Sequence, residues 1–257
     1  MYPVVPTKRD SASMDLPFVS MILTTRDRPG LLPVAIACYR QQTYPHKELI
    51  VVDDGERFPV DADALRAVGG RLVRVAPDTP LGVKLNRGIE AARGPLCQKM
   101  DDDDWYAPGF LASMVLALME HRREVCIPAF AFMMPFLFFE LARWEIRQSV
   151  SNNIPGATLL FFRDDWANRP FRAVRFDEDT WFVLDRARDG LAPVPVRCLE
   201  SFLAIRHGNS SRDRGHTWVH QGNGQTLESY LQGRALYHRR PEDLLPEWVL
   251  PIYRQLR

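Results

Sequence analysis

The sequence predicts an α/β fold with a mostly parallel central sheet flanked by helices. Three observations lead there. Short apolar runs alternate with helical patterns through the first hundred residues, most of those runs stop at polar or acidic loops, and the composition is that of an ordinary globular chain, 46% hydrophobic and 25% charged. The 257 residues suit one large domain or one and a half. Lys and Arg number 33 against 32 Asp and Glu, a net charge of +1 that gives no long-range pull on nucleic acid, and no nucleic-acid-reading motif is visible.

Residues 18–23, FVSMIL, predict a first strand that stops at the polar turn TTRDRPG. Residues 31–42 follow with apolar side chains at helical spacing (Leu32, Ala35, Ile36, Tyr39), and Pro29 and Gly30 stand ahead of them. A second strand, ELIVV at 48–52, ends in Asp53, Asp54 and Gly55. A short helix at 62–68, a strand at 72–75 and a helix at 85–92 come next, and Gly94 separates the last from a fourth strand at 96–100. In such a sheet, ligands bind at the carboxyl ends of the strands, so the loops after strands one, two and four should share a crevice.

Beyond Trp105 the rhythm changes. A helix is expected at 109–121, a strand at 157–162, a flexible loop at 208–225 and a helix at 227–237. The greasiest window, 125–139, is shorter than a spanning helix needs and is broken by Pro128 and Pro135; it reads as a buried strand pair or the wall of an acceptor site, with a membrane-surface contact as the alternative. Residues 1–16 read as a flexible leader with no secretory signal. Cys38, Cys97, Cys126 and Cys198 are scattered without metal-like spacing and suit a reducing compartment, so a cytoplasmic or membrane-peripheral protein is expected.

The chemistry concentrates at Asp101, Asp102, Asp103 and Asp104. Four adjacent carboxylates repel one another, and a solvated acidic loop is the bland reading. Here the run joins an apolar strand to Trp105 and Tyr106, where alternate carboxylates can gather on one side and take a hard cation, Mn²⁺ or Mg²⁺, that bridges to phosphate.

Four blocks then resemble family 2 glycosyltransferases: VSMILTTRDRPGLLPVAIACYRQQTYPHKELIVVDDG, PLGVKLNRGIEAARGPLCQKMDDDDWYAPGFL, RFDEDTWFVLDRARDG and IRHGNSS, in the expected order over most of residues 18–211. The resemblance implies a GT-A fold: a Rossmann-like nucleotide-sugar-binding half at 17–105 and an acceptor-binding half with a C-terminal tail at 106–257, in one catalytic domain. It implies an inverting enzyme that moves a sugar from a UDP-sugar, or another nucleotide-sugar, to a hydroxyl of a glycan, lipid-linked or small-molecule acceptor.

Carried over by position, Asp53 and Asp54 would contact the uracil or ribose, a turn and helix cap being the alternative. Thr24 and Arg26 fall in the loop beside the base. Asn86 sits near the nucleotide or else stabilises its helix, and Lys84 and Arg87 would face the diphosphate or solvent. Asp101 and Asp103 match the ends of the Asp-x-Asp motif; Asp101 and Asp102 are assigned to the nucleotide, and Asp103, Asp104 and His207 to the metal. Asp103 is expected to be a solvated carboxylate that adds little to packing. Asp179, with Glu178 beside it, matches the catalytic base, the alternative being an acidic helix start. Two departures stand out: Glu56 replaces the usual hydroxyl after Asp-Asp-Gly, and Asp102 stands where relatives often carry a small residue. A nucleotidyltransferase and a non-catalytic nucleotide- or sugar-binding module are the competing readings. The first lacks its Gly-rich phosphate loop, and the second does not account for the acids at both places.

Overall fold

A computed structural model describes residues 16–149, 154–207, 232 and 234–256. The expected leader, apart from Leu16, and the expected loop at 208–225 lie outside the described residues. The elements follow the predicted alternation: β1 (Val19–Thr25), α1 (Leu32–Gln41), β2 (Lys47–Asp53), α2 (Ala62–Ala67), β3 (Gly70–Arg74), α3 (Leu81–Glu90) and β4 (Leu96–Asp101). The second half adds β5 (Trp105–Tyr106), α4 (Phe110–Val125), β6 (Ala129–Met133), β7 (Leu137–Glu140), β8 (Glu145–Gln148), β9 (Leu160–Phe162), α5 (Arg163–Asn168), α6 (Glu178–Arg188), β10 (Ala192–Val196) and β11 (Phe202–Arg206). Two short helices, α7 (Pro241–Leu244) and α8 (Leu250–Gln255), close it.

One sheet of seven strands runs β10-β6-β9-β4-β1-β2-β3 and is parallel except around β9, which is antiparallel to both β4 and β6. The sheet draws strands from both predicted halves. Every residue of β1 is buried, as expected of a strand covered on both faces. A second sheet, β5-β11-β7-β8, sits beyond the acid run.

Three elements differ from their predicted form. Helix α3 begins four residues early, directly after Pro80, and the Gly82 in its first turn packs against the backbone of Arg172, where a Cβ would overlap the carbonyl. The greasy window does give two buried strands, but they do not pair with each other: β6 lies between β9 and β10, and β7 between β8 and β11. The described end of the helix expected at 227–237 is extended, with Leu236 bridged to Arg147 and the Tyr237 amide donating to the Ile146 carbonyl; the rest of that segment lies outside the described residues.

Glu140, at the end of β7, is almost wholly buried; its Oε1 accepts from the Ala142 amide, and its Oε2 has no hydrogen-bond partner among the described residues. Burial pushes its carboxyl up to about 7, against the pull of Arg206, Arg143 and Arg147. The folded state therefore holds this proton over a range where the unfolded chain has released it, and stability falls as pH rises from about 4.5 towards 7. Urea unfolding at pH 5 and pH 8 should show Glu140→Gln escaping roughly 2 to 3 kcal/mol of the loss the parent suffers. Equal losses would place the titration elsewhere.

Candidate active site

Parallel pairing brings the ends of β1, β2 and β4 together: Thr24 stands opposite Asp101 on one side and Val52 on the other, and Thr25 opposite Asp53. The ends of these strands therefore meet as expected, and the predicted residues divide among their loops. Asp53 is completely buried and engaged in its own loop: Oδ1 accepts from the Gly55 amide, and Oδ2 from the Val60 amide and the Arg74 guanidinium. Asp54 takes the Lys84 ammonium on Oδ1 at 2.7 Å, while its buried Oδ2 lies 3.6 Å from Arg26. Arg26 also pairs with Asp78 at 2.5 Å and approaches Glu56 at 3.7 Å, so the acid in place of the usual hydroxyl meets a cation. Arg26, Asp54 and Lys84 thus form one ion-pair cluster, Asp53 braces the loop beside it, and Thr24 stands at the end of β1 next to it.

Asn86 does not join them. Its amide is clamped to the segment after α5, donating to the Phe171 carbonyl and accepting from the Phe171 amide and the Trp166 indole, so it ties a helix to a loop. Arg87 is exposed and pairs with Glu90 one turn along α3.

The acid run resolves the repulsion that its sequence poses, because each carboxylate meets a donor, Asp102 and Asp103 sharing one arginine. Asp101 accepts from Lys99 at 2.7 Å. Asp102 accepts from the Thr25 hydroxyl at 2.7 Å and from Arg28 at 2.5 Å. Asp103 accepts from the same Arg28 nitrogen at 2.9 Å and lies 3.1 Å from Nε2 of His207. Asp104 accepts from the Ile205 amide at 2.8 Å and so fixes β11 to the run. Asp102, Asp103 and Asp104 are buried, which corrects the expectation that Asp103 is solvated. Burial raises the Asp102 carboxyl above its ordinary value, and Arg28 opposes that shift; the guanidinium, though burial works against its charge, is raised by Asp102 and Asp103.

Of the residues assigned to a metal, Asp103 and His207 are brought together, but no three His, Cys, Asp or Glu side chains among the described residues form a metal-holding group. The Asp103 carboxylate is a suitable donor for Mn²⁺ or Mg²⁺, the His207 imidazole beside it favours Mn²⁺ over Mg²⁺, and the arginine bridging Asp102 and Asp103 shows the place to suit a positive charge. The residues fit such an ion as a partial set that diphosphate oxygens and water would complete.

Helix α6 begins at the acid pair, beside the end of β4. Glu178 is buried 3.5 Å from Lys99; its burial, with Asp179 and Asp101 nearby, pushes its carboxyl up to about 7 against the pull of that lysine. Asp179 is partly exposed, and its carboxylate lies against Gly156, where a Cβ would overlap it. The turn carrying Gly156 is pinned by Tyr106, whose hydroxyl accepts from the Asp101 amide and donates to the Ala157 carbonyl.

The family-model description "Glycosyl transferase family 2" matches residues 20–171, more than half of the chain and every strand end just described. The chain belongs to glycosyl transferase family 2. Among curated relatives of this family 2 chain, the putative glycosyltransferase EpsH of Bacillus subtilis is 30% identical over 105 residues, 40% of this chain and 30% of that one. The dodecaprenyl-phosphate galacturonate synthase of Rhizobium johnstonii is 32% identical over 129 residues, 48% and 37% of the two chains. The chain therefore spans about a third of the length of these relatives. In fold it is similar to S. aureus TarS 1-349 in complex with UDP-GlcNAc (TM-score 0.58, 13% identity, 75% of this chain and 60% of that one). It is also similar to the mannosyltransferase PcManGT of Pyrobaculum calidifontis in complex with GDP-Man and Mn²⁺ (TM-score 0.56, 16% identity, 74% and 56%).

Three residues that contact the assigned ones escaped the sequence reading: Thr25, Arg28 and Lys99. Lys99 had a signal, being a lone lysine in an apolar strand two positions before Asp101 and so on its face. Arg28 had half of one, since the extra acid Asp102 needs a counter-charge, but Arg26 lies in the same turn and only the fold separates them.

Proposed function

We propose that this protein is an inverting glycosyltransferase that moves a sugar from a nucleotide-sugar, a UDP-sugar first among candidates, to a hydroxyl acceptor with the help of Mn²⁺ or Mg²⁺. The observation that carries the reading is the juxtaposition of two acid sets from distant parts of the chain. The run Asp101 to Asp104 at the end of β4 faces the pair Glu178 and Asp179 at the start of α6, with Lys99 between Asp101 and Glu178.

Inversion needs a carboxylate on the side of the sugar opposite the departing diphosphate, to accept the acceptor hydroxyl's proton as the new bond forms. Asp179 is assigned that role, since it is the more exposed of the pair and Glu178 is buried against Lys99. Asp103 and His207 would hold the divalent cation, and Asp104 would back them by tying β11 to the run. When bound, that cation withdraws charge from the diphosphate. Asp54 Oδ2 and Arg26 are the groups assigned to the nucleoside, with Lys84 balancing Asp54 and Asp53 shaping the loop.

Binding of UDP-GlcNAc by TarS and of GDP-Man with Mn²⁺ by PcManGT supports a nucleotide-sugar donor. The relative named for dodecaprenyl phosphate supports a lipid-linked acceptor, and with it a peripheral contact with a membrane; no helix among the described residues is long and apolar enough to cross one. Incubation with Mn²⁺ and a panel of UDP- and GDP-sugars, followed by assay of released nucleotide, tests the reading. One donor should be hydrolysed slowly without acceptor and faster with it. Release at the blank rate with every donor would leave the binding-module reading.

A further inference from the structure

Lys99 is a buried ammonium that the reaction just proposed does not use. It lies on β4, fully enclosed, with carboxylates as its charged neighbours: Asp101 on its own strand at 2.7 Å, Glu178 on α6 at 3.5 Å, and Asp179 close enough for its charge to act on the lysine. Burial alone would discharge a lysine; these three acids keep it protonated instead.

A second observation concerns the helix that Lys99 touches. Helix α6 starts from Asp177 in a left-handed conformation (φ 60°), and the Asp177 side chain does not cap it; the side-chain acceptor in the first turn is Asp179, whose Oδ1 takes the Thr180 amide at 2.7 Å. The start of the helix thus lacks the usual cap from the residue that precedes it. The contact of Lys99 with Glu178 therefore links the first turn of α6 to the end of β4.

From this geometry we infer that Lys99 is a positioning residue for the proton acceptor, holding the first turn of α6, and with it Asp179, against the end of the strand that carries the acid run. The inference rests on the reading of Asp179 as the base. Lys99 touches neither donor nor acceptor in this scheme. It acts by fixing where the Asp179 carboxylate stands, over Gly156, and by placing a fixed positive charge behind it.

The test compares Lys99→Met, Lys99→Arg and Asp179→Asn with the parent, measuring kcat as a function of pH, UDP affinity in Mn²⁺ and melting temperature. Methionine keeps the length and removes the charge. An anion that loses a neighbouring cation takes up a proton more readily, so the acid limb of the kcat profile should move about one pH unit higher. Turnover near neutral pH should fall at least tenfold, with UDP affinity changed less than threefold. Arginine should return the limb to its parent position. If Lys99→Met fails to fold, Lys99→Gln, which removes the charge but keeps a polar donor at the buried position, carries the same measurements.

An unmoved limb with kcat within twofold of the parent, beside an inactive Asp179→Asn, would overturn the positioning role and leave the base in place. Loss of UDP affinity together with turnover would also overturn it, by making Lys99 a support of the nucleotide site through Asp101. An active Asp179→Asn enzyme would remove the base itself, and this inference with it.

Discussion

Asp179→Asn is expected to lose transfer by on the order of 10²–10⁴-fold while UDP affinity stays nearly unchanged. Asparagine keeps the shape and one acceptor oxygen of the side chain but cannot take the proton from the attacking hydroxyl. The nucleotide-side acids are on other elements, at the ends of β2 and β4, and do not depend on this carboxylate. If Asp179 merely starts a helix, the same change costs about 1 kcal/mol or less, because asparagine serves nearly as well there, and activity survives. Melting temperature, UDP affinity and transfer rate from one preparation separate the two. Gly156→Ala offers an independent arm: the added methyl would overlap the Asp179 carboxylate and force it aside. A displacement of about 1 Å can lower turnover about 10²-fold, again with donor binding preserved. A Gly156→Ala enzyme as fast as the parent would mean that the position of Asp179 does not matter to the chemistry.

UDP should bind at least about tenfold more tightly in Mn²⁺ than in EDTA, because a diphosphate entering beside carboxylates is repelled unless a cation intervenes. Equal affinity in the two buffers would take the metal out of the scheme. The partners of Asp103 sharpen the experiment. Arg28 bridges Asp102 and Asp103, so a cation and a guanidinium compete for the same carboxylates. Mn²⁺ alone should therefore bind weakly to the parent and more tightly to Arg28→Met, read by calorimetry without nucleotide. Asp103→Asn should weaken Mn²⁺-dependent UDP binding in a folded protein. Asp103→Ala is the poorer variant, since it strips a partner from a largely buried guanidinium, a type of loss that costs about 3 kcal/mol. An Asp103→Asn enzyme that binds UDP as the parent does, with the same dependence on Mn²⁺, would put the metal on other residues.

The sequence by itself determined the first half of the fold and the addresses of the acids. Apolar runs ending at TTRDRPG, DDG and DDDD report strands whose carboxyl ends meet, because a parallel sheet aligns those ends whatever the helices between them do. The second half was less legible. β6 and β7 are both buried apolar runs, and periodicity carries no information about which of two sheets such a run joins. What only the tertiary structure decided was the partner of each charge. Asp53 and Asp54 are neighbours in sequence, yet one braces its own loop and the other faces Lys84 and Arg26; Asn86 turns to Phe171, and Arg28 rather than Arg26 reaches the acid run. The physical reason is that an acid's role depends on what lies within about 4 Å of it, and such neighbours can come from far along the chain: Lys84 is 30 positions from Asp54 and His207 104 from Asp103.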